Sequence, residues 1–173
     1  MRHITHITFS VFLSILVYFV FPSLNNHIYS IYWFTIAGFA ALVPDIDHPH
    51  SYISKGYWEP LSTAIRRTSP HRGWTHSILG AAVFSFASAA VFWYFDASLA
   101  YSIPFFFGYI SHLLSDSLNP TGVNWLWPDR RRYGVAIIST GSEAEVSFQA
   151  LVALAGGAVF FYDLIFRGGL ILQ

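Results

Sequence analysis

Residues 77–95 read SILGAAVFSFASAAVFWYF, a run without any charged side chain. A helix that spans the hydrocarbon core of a membrane needs ~20 mostly apolar residues, with a usual range of ~17–25. The run has both the length and the composition of such a helix. After a short connection at residues 96–98, a second apolar run begins at Leu99. This region of the chain therefore predicts two consecutive membrane helices.

Four apolar runs accompany the run at 77–95. They cover roughly residues 7–21, 31–43, 99–114 and 148–166. The first two reach spanning length only with their polar flanks, so a re-entrant course stays an alternative for both. We predict an all-α polytopic membrane bundle of about five apolar helices, which forms a single integral-membrane domain over residues 1–173.

Composition supports a membrane protein and excludes several other classes. The chain is 54% hydrophobic and only 10% charged, whereas soluble domains carry about 25% charged residues. The net charge is zero, which gives no electrostatic footprint for nucleic acid. Because 19% of the residues are aromatic, membrane lipid is the expected partner. Cysteine is absent, which excludes disulfides and thiolate metal ligands. The first run is followed by Phe21-Pro22 and not by a small-residue cleavage site. We therefore do not interpret this run as a secretory signal.

The basic residues predict the orientation in the membrane. With five crossings, the polar segments 45–76 and 115–147 lie on the same side as Met1. Eight of the nine basic residues then share that side, namely Arg2, Lys55, Arg66, Arg67, Arg72, Arg130, Arg131 and Arg132. Only Arg167 lies opposite. Because Lys and Arg are enriched in cytoplasmic loops, we predict a multi-pass protein of the inner (plasma) membrane with a cytoplasmic N-terminus.

The same topology gathers metal-binding side chains at the cytoplasmic face. The candidate ligands there are His6, Asp45, Asp47, His48, His71, His76, His112, Asp116 and Glu145. Ionisable groups in or beside a membrane are functional hypotheses by default. Nitrogen and oxygen ligands without thiolate suit zinc first, and manganese or iron as alternatives. Nine candidates exceed one tetrahedral site, so a cluster of two or three ions would use them.

His112 and Asp116 are four residues apart in a segment that predicts a helix. They share one face of that helix and can bind one ion together. A polar contact between helices explains this pair about equally well when it is considered alone.

The sequence PDIDHP at 44–49 predicts an extended segment, because its prolines disfavour helix. Asp45 and Asp47 would then point the same way and repel each other unless a cation lies between them. The alternative is a solvated acidic turn. The neighbouring His48 and the preceding membrane segment favour a metal.

The sequence HRGWTHS at 71–77 places one histidine in a loop and the other near the next helix start, with Thr75 or Ser77 as the N-cap. Arg72 is predicted either to hold a phosphate or a developing anion, or to serve as a positive-inside anchor. His6 gains support only from its position on the same face, because a lone histidine near a helix start is more often structural. Glu145 precedes the fifth run, where Glu143 is the competing choice.

These motifs occur in a fixed order. They are PDIDHPHS at 44–51, HRGWTHS at 71–77, GYISHLLSD at 108–116, NPTGV at 119–123 and WLWP at 125–128. Together they resemble the YdjM-like family of inner-membrane metal-dependent hydrolases, over a stretch from His6 to about Glu145. The resemblance implies a reaction class without a substrate.

A more distant similarity is to zinc-dependent phospholipase C and P1-type nucleases, which are helical enzymes with trinuclear zinc sites. Their His-x-x-x-Asp pair looks like His112 and Asp116, and their water-activating carboxylate looks like Asp45 or Asp47. Their second histidine pair is missing here, because no histidine follows Asp116. We also expect no amine ligand at Met1, because His6 lies several residues further along the chain.

The sequence as a whole predicts divalent-metal hydrolysis of a phosphoester, in a phospholipid or another lipid-linked substrate. Asp45 or Asp47 would orient or deprotonate the attacking water, and Arg72 would stabilise the anion. A metal carrier or sensor is one alternative, and its site should lie mid-membrane. The other alternative is a structural membrane protein whose polar cluster only ties helices together.

Overall fold

The computed structural model describes residues 1–26, 28–68 and 72–168. Within these ranges the regular structure is helical, and Val123 and Tyr133 form an isolated antiparallel bridge. The α-helices are α1 (His3–Val20), α2 (Ser30–Ala40), α3 (Glu59–Thr68), α4 (Ile78–Tyr94), α5 (Ser102–Asp116) and α6 (Glu143–Phe166). The prediction of an all-α protein is confirmed for this part of the chain.

In the part of the chain that the structure describes, two helices are long and apolar enough to cross a membrane by themselves. They are α1, with 18 residues, and α6, with 24. The apolar helix α4 has 17 residues, while α2 and α5 have 11 and 15. Helix α2 is short because it ends at Ala40, and the rest of its apolar run forms a turn and the start of the 3-10 helix Val43–Asp47. All five predicted runs contain helix, α1 and α6 have at least 18 residues, and α4 lies at the lower end of the ~17–25 range.

Helix α3 lies in the segment 45–76, for which no helix was predicted. It is amphipathic: Ser62 and Ile65 are buried, and Arg66 and Arg67 lie in the last turn, where basic residues favour the helix dipole. The Ser62 hydroxyl donates a hydrogen bond of 2.6 Å to the carbonyl of Ile46. Helix α3 therefore braces the turn that follows α2.

Helices α2 and α5 cross at very short range. A Cβ atom added to Gly108 of α5 would lie 2.7 Å from the Cα atom of Ala37 in α2 and even closer to the Ala37 carbonyl oxygen. Only glycine fits there, since real Cβ atoms do not approach backbone atoms so closely. This crossing brings the C-terminal halves of α2 and α5 together.

Five helix ends meet at one end of the bundle. The start of α1 contacts the start of α6 through Arg2 and Glu145, and His6 of α1 contacts Ser115 near the end of α5. The segments that follow α2 and precede α4 meet at the same place. A buried apolar core, which includes Val43, Ile46, Tyr109 and Leu113, packs beneath this end. The polar cluster described next therefore rests on well-packed side chains.

Candidate metal centre

Four ligand-type side chains from three segments converge at this end of the bundle. His76 Nε2 lies 3.4 Å from His112 Nε2 and 3.5 Å from Asp45 Oδ1. His112 Nε2 lies 3.8 Å from Asp45 Oδ1, and Asp116 Oδ2 lies 3.9 Å from both imidazole nitrogens. Ligands bound at ~2.0–2.1 Å to a tetrahedral zinc ion are themselves roughly 3.3–3.4 Å apart. Shifts of a few tenths of an ångström would therefore close these atoms around one ion.

His112 presents a free lone pair to this centre. Its Nδ1 atom donates a hydrogen bond of 2.7 Å to the carbonyl of Ala41, at the end of α2. A carbonyl only accepts, so the neutral ring carries its proton on Nδ1 and leaves Nε2 available as a ligand atom. Helix α5 supplies the spacing that puts Asp116 on the same face, as the sequence predicts.

His6 is arranged in the same way. The Ser115 hydroxyl donates to the carbonyl of His112 at 2.9 Å, so it accepts from His6 Nδ1 at 2.7 Å. The ring of His6 stacks on the ring of His112 with centroids 3.8 Å apart. His6 Nε2 is buried 3.5 Å from Asp116 Oδ1 and has no hydrogen-bond partner among the described residues. An unpaired nitrogen in a buried site is costly, and a bound cation would satisfy it.

Asp47 lies behind His76. Its Oδ2 atom is 3.4 Å from His76 Nδ1 and accepts hydrogen bonds from the Thr75 hydroxyl at 2.5 Å and the backbone N–H of Arg72 at 3.0 Å. Carboxylates that hold the distal nitrogen of a metal-binding histidine fix its orientation and raise its basicity. Asp47 is placed to orient His76, whereas Asp45 reaches the other ring nitrogen.

The predicted extended geometry of this motif is wrong. Residues Val43–Asp47 form a 3-10 helix, with Pro44 in its first turn. Proline fits there because its backbone φ is already helical and an N–H in the first turn has no partner to lose. The helical turn places Asp45 and Asp47 against different nitrogen atoms of His76, with one oxygen of each carboxylate within 4.8 Å of the other.

Electrostatics couples Asp45 to His76. Burial raises the pKa of Asp45, but the charges of the nearby histidines and the hydrogen bond from His76 outweigh burial and hold this pKa well below its usual range. Burial lowers the pKa of His76, but the carboxylates of Asp45 and Asp47 outweigh burial and raise it to about 9. Without a metal, the pair is therefore an anion beside a cation at neutral pH. A divalent cation can replace the proton between them.

Arg72 lies at the edge of this cluster. Its backbone φ is 62°, a left-handed conformation that non-glycine residues adopt rarely and that often marks functional sites. The guanidinium contacts Asp116 Oδ2 at 2.5 Å and donates to the Thr121 hydroxyl. Arg72 and Asp45 both line a cavity of about 270 Å³ that opens beside the cluster. The two interpretations of Arg72, as anion ligand and as membrane anchor, remain open on these contacts.

Two predicted ligands have other partners. The carboxylate of Glu145 accepts from the backbone N–H groups of Arg2 and Gly141 and from the Thr5 hydroxyl, at 2.5, 2.6 and 2.9 Å. These bonds tie α1 to α6. Among the described residues, three ligand groups have atoms within 4.8 Å of one another, namely His6–Asp45–His112, His76–His112–Asp116 and Asp45–Asp47–His76. Glu145 belongs to none of them. Glu143 is exposed. Hydrogen-bond donors contact both oxygen atoms of Glu145, and its role as a metal ligand stays a prediction.

His48 is also outside the ligand groups formed by the described residues. It ends the 3-10 turn in an extended conformation, and its Nδ1 atom accepts from the backbone N–H of His50 at 3.2 Å. Both histidines line the cavity beside the cluster. His71 lies outside the described residues.

Met1 contacts the cluster, although it lies five residues before His6 in the sequence. Its amino group is 2.6 Å from Asp116 Oδ1. The residues before α1 place this amino group against the end of α5, and the expectation that it is no metal ligand stays a prediction.

Some residues that support the cluster were not identified from sequence. Ser115 orients His6, and Thr75 orients Asp47. In the sequence, only their position next to predicted ligands would have indicated these roles. Ser77 was considered as a cap, and its side chain does accept from the backbone N–H of Gly80 at 3.2 Å.

Comparison with known proteins identifies the family. A sequence model described as "YdjM inner membrane protein" matches residues 1–168. The chain belongs to the YdjM inner membrane protein family. The family resemblance seen in the ordered motifs and the prediction of an inner-membrane protein are thereby confirmed.

Two curated relatives in this family are named inner membrane protein YdjM, one from Escherichia coli (strain K12) and one from Shigella flexneri. Each is 39% identical to this chain over 105 residues, which cover 56% of this chain and 50% of the relative. The chain thus spans about half the length of the curated relatives it matches. No solved structure matches the chain.

Proposed function

We propose that this YdjM-family protein is a membrane-bound, divalent-metal-dependent hydrolase that acts on a phosphoester. The convergence of Asp45, His76, His112 and Asp116 is the observation that carries the proposal. The two imidazole Nε2 atoms lie 3.4 Å from each other and 3.5–3.9 Å from an oxygen of each carboxylate. His76, His112 and Asp116 are buried, and Asp45 is partly exposed. Such preorganisation of acidic and imidazole groups is what a divalent cation requires.

The four residues would hold the ion, with His6 as a further ligand, and zinc suits the mixed nitrogen and oxygen set best. A divalent ion in this position would supply Lewis acidity, which eases the ionisation of water and polarises a phosphoryl oxygen. Manganese or iron would fit the same ligand types. Metal analysis gives both the identity and the number of ions.

The remaining roles follow from exposure and contacts. Asp45 is the most accessible carboxylate of the cluster, with 19% of its side chain exposed, and it lines the cavity where water enters. Asp45 would accept the proton of the attacking water there. Arg72, at the edge of the same cavity, would bind the phosphoryl oxygens and stabilise their negative charge. Asp47 is buried behind His76 and would orient that ring rather than touch the substrate.

The substrate is proposed to be a phospholipid or another lipid-linked phosphoester, because the cluster lies at one end of a bundle of apolar helices in an inner-membrane protein. The proposed arrangement has several membrane crossings, with this end in the cytoplasm, as the distribution of basic residues indicates.

The test combines metal analysis with turnover. Protein purified in detergent should contain zinc or another divalent ion, and it should hydrolyse a generic phosphodiester or a phosphorylated lipid. Removal of the ion with a chelator should abolish hydrolysis, and the same ion should restore it. Protein that binds the ion but hydrolyses none of these substrates would favour the metal carrier. Fully stable protein without any bound ion would favour the structural membrane protein.

Orientation can be tested separately, because the chain has no cysteine to interfere with labelling. Lys55→Cys and Asp96→Cys both place a thiol at an exposed position. Asp96 follows α4 and lies at the end of that helix away from the cluster. A membrane-impermeant thiol reagent added to intact cells should label the thiol at position 96 and not the one at position 55. The reverse pattern would overturn the proposed orientation.

A further inference from the structure

A second, larger cavity adjoins the cluster on the far side of Arg72. It has a volume of about 470 Å³ and is lined by Arg72, Arg132, Asn119, Thr121, Ser139 and Thr140, together with a proline. Among the described residues, this lining includes two guanidinium groups and three hydroxyl groups but no carboxylate. Arginine and hydroxyl side chains are the groups that proteins use to bind phosphate oxygens. The lining therefore favours an anionic ligand.

The loop that carries Arg132 is held in place by its backbone. Val123 and Tyr133 exchange two hydrogen bonds of 2.9 Å. Gly122 lies against residue 132, since a Cβ atom added to this glycine would come within 3.3 Å of Arg132 Cβ. The backbone N–H of Val135 donates to the carbonyl of Ser117 at 2.8 Å, just after α5 ends. The loop is thus anchored to the helix that carries His112 and Asp116.

The two cavities share a boundary. Arg72 and Thr140 line both of them. The Thr121 hydroxyl accepts from the Arg72 guanidinium and donates to Asn119 Oδ1 at 2.8 Å, while Asn119 Nδ2 donates to the Thr140 hydroxyl at 2.8 Å. A continuous set of hydrogen bonds therefore runs from the metal cluster to the second cavity, along the NPTGV motif.

We propose that the second cavity binds a second phosphoryl group, so that the substrate class is a diphosphate rather than a phosphomonoester. This inference rests on the proposed function, in which the cluster and Arg72 hold the first phosphoryl group. Arg132 lines only the cavity beyond Arg72, and it would neutralise the second group. The NPTGV motif then has a role, since it positions Thr121 and Gly122 between the two groups.

The experiment measures binding of inorganic pyrophosphate and inorganic phosphate to the metal-loaded full chain by isothermal titration. Pyrophosphate should bind about 10-fold or more tightly than phosphate, as expected for one additional charge-assisted contact. Arg132→Gln should lower the affinity for pyrophosphate about 10-fold and so remove this preference. Arg131→Gln is the matched control, because Arg131 is 79% exposed, pairs with Asp129 and lines neither cavity. Equal affinity of the wild-type protein for both anions, or equal effects of the two variants, would overturn the proposal.

A second measurement separates this inference from the proposed function. In metal-free protein, inorganic phosphate should still bind in the second cavity, and Arg132→Gln should weaken it about 10-fold while Arg131→Gln does not. If no metal binds but this dependence on Arg132 persists, the hydrolase proposal fails and the anion site stands. If metal binds and hydrolysis occurs without any effect of Arg132, the diphosphate assignment fails alone. Metal content after each titration shows whether pyrophosphate has removed the ion.

Discussion

The Nε2 atoms of His76 and His112 lie 3.4 Å apart in a fully buried site, although 36 positions separate the two residues in the chain. Two bare nitrogen lone pairs at this distance repel each other, so a proton or a cation must lie between them. The Nδ1 atom of each ring already faces an acceptor, which leaves the Nε2 atoms directed toward the common centre.

Loss of His112 should release the metal. His112→Gln is expected to lower affinity for zinc by more than the ~10–100-fold that loss of a merely orienting residue costs. His50→Gln provides the control, since His50 is exposed at the rim of the cavity and belongs to none of the ligand groups. Competition with a zinc chelator measures both affinities. Equal zinc retention by the two variants would remove His112 from the site.

Substitutions of Asp45 and Asp47 should have different effects on metal binding and turnover. Asp47→Asn is expected to weaken metal binding by ~10–100-fold, since Asp47 only orients His76. Asp45→Asn should weaken binding further and also abolish turnover at saturating metal, because Asp45 contributes both a ligand atom and the proton acceptor. Metal titration followed by a turnover assay distinguishes the two effects. If Asp47→Asn lost as much affinity as Asp45→Asn, Asp47 would be a ligand itself.

Glu145 should matter for stability and not for metal content. Glu145→Gln removes a carboxylate that accepts from the backbone and guanidinium of Arg2, from Thr5 and from the backbone of Gly141. A buried donor left without its partner costs ~1–3 kcal/mol. The midpoint of thermal unfolding in detergent should fall, while the bound metal stays constant. Glu143→Gln, at an exposed position in the same turn, should change stability by less than ~0.5 kcal/mol. If the Glu145→Gln variant lost its bound metal, Glu145 would be a metal ligand.

The close crossing of α2 and α5 predicts a strong effect at Gly108. Gly108→Ala forces a methyl group into the backbone of Ala37, and overpacking of this kind costs ~1–3 kcal/mol or more. Because the crossing aligns Asp45 with His112, metal affinity should fall together with the unfolding temperature. Gly157→Ala in α6 is the control, since no atom lies within 4 Å of the added methyl group and alanine favours helix by up to ~1 kcal/mol. An unchanged Gly108 variant would contradict the packing described above.

The sequence by itself determined the class of protein and the residue types of the site. Uncharged apolar runs of about this length predict membrane helices. The four-residue spacing of His112 and Asp116 puts both side chains on one face of a helix. The ordered motifs were sufficient to indicate the YdjM family. These features are local, so they can be read along the chain.

Only the tertiary structure decided which candidates meet. The division of Asp45 and Asp47 between two sides of His76 depends on a 3-10 turn that helix α3 braces, and α3 is too polar and too short to be recognised from apolar runs. Glu145 has a carboxylate like the others, but donors from α1 fill its coordination. The partners of each carboxylate are distant in sequence, so only the tertiary structure shows which carboxylates reach the common centre. The contacts of α1, α5 and the two turns therefore determine the site.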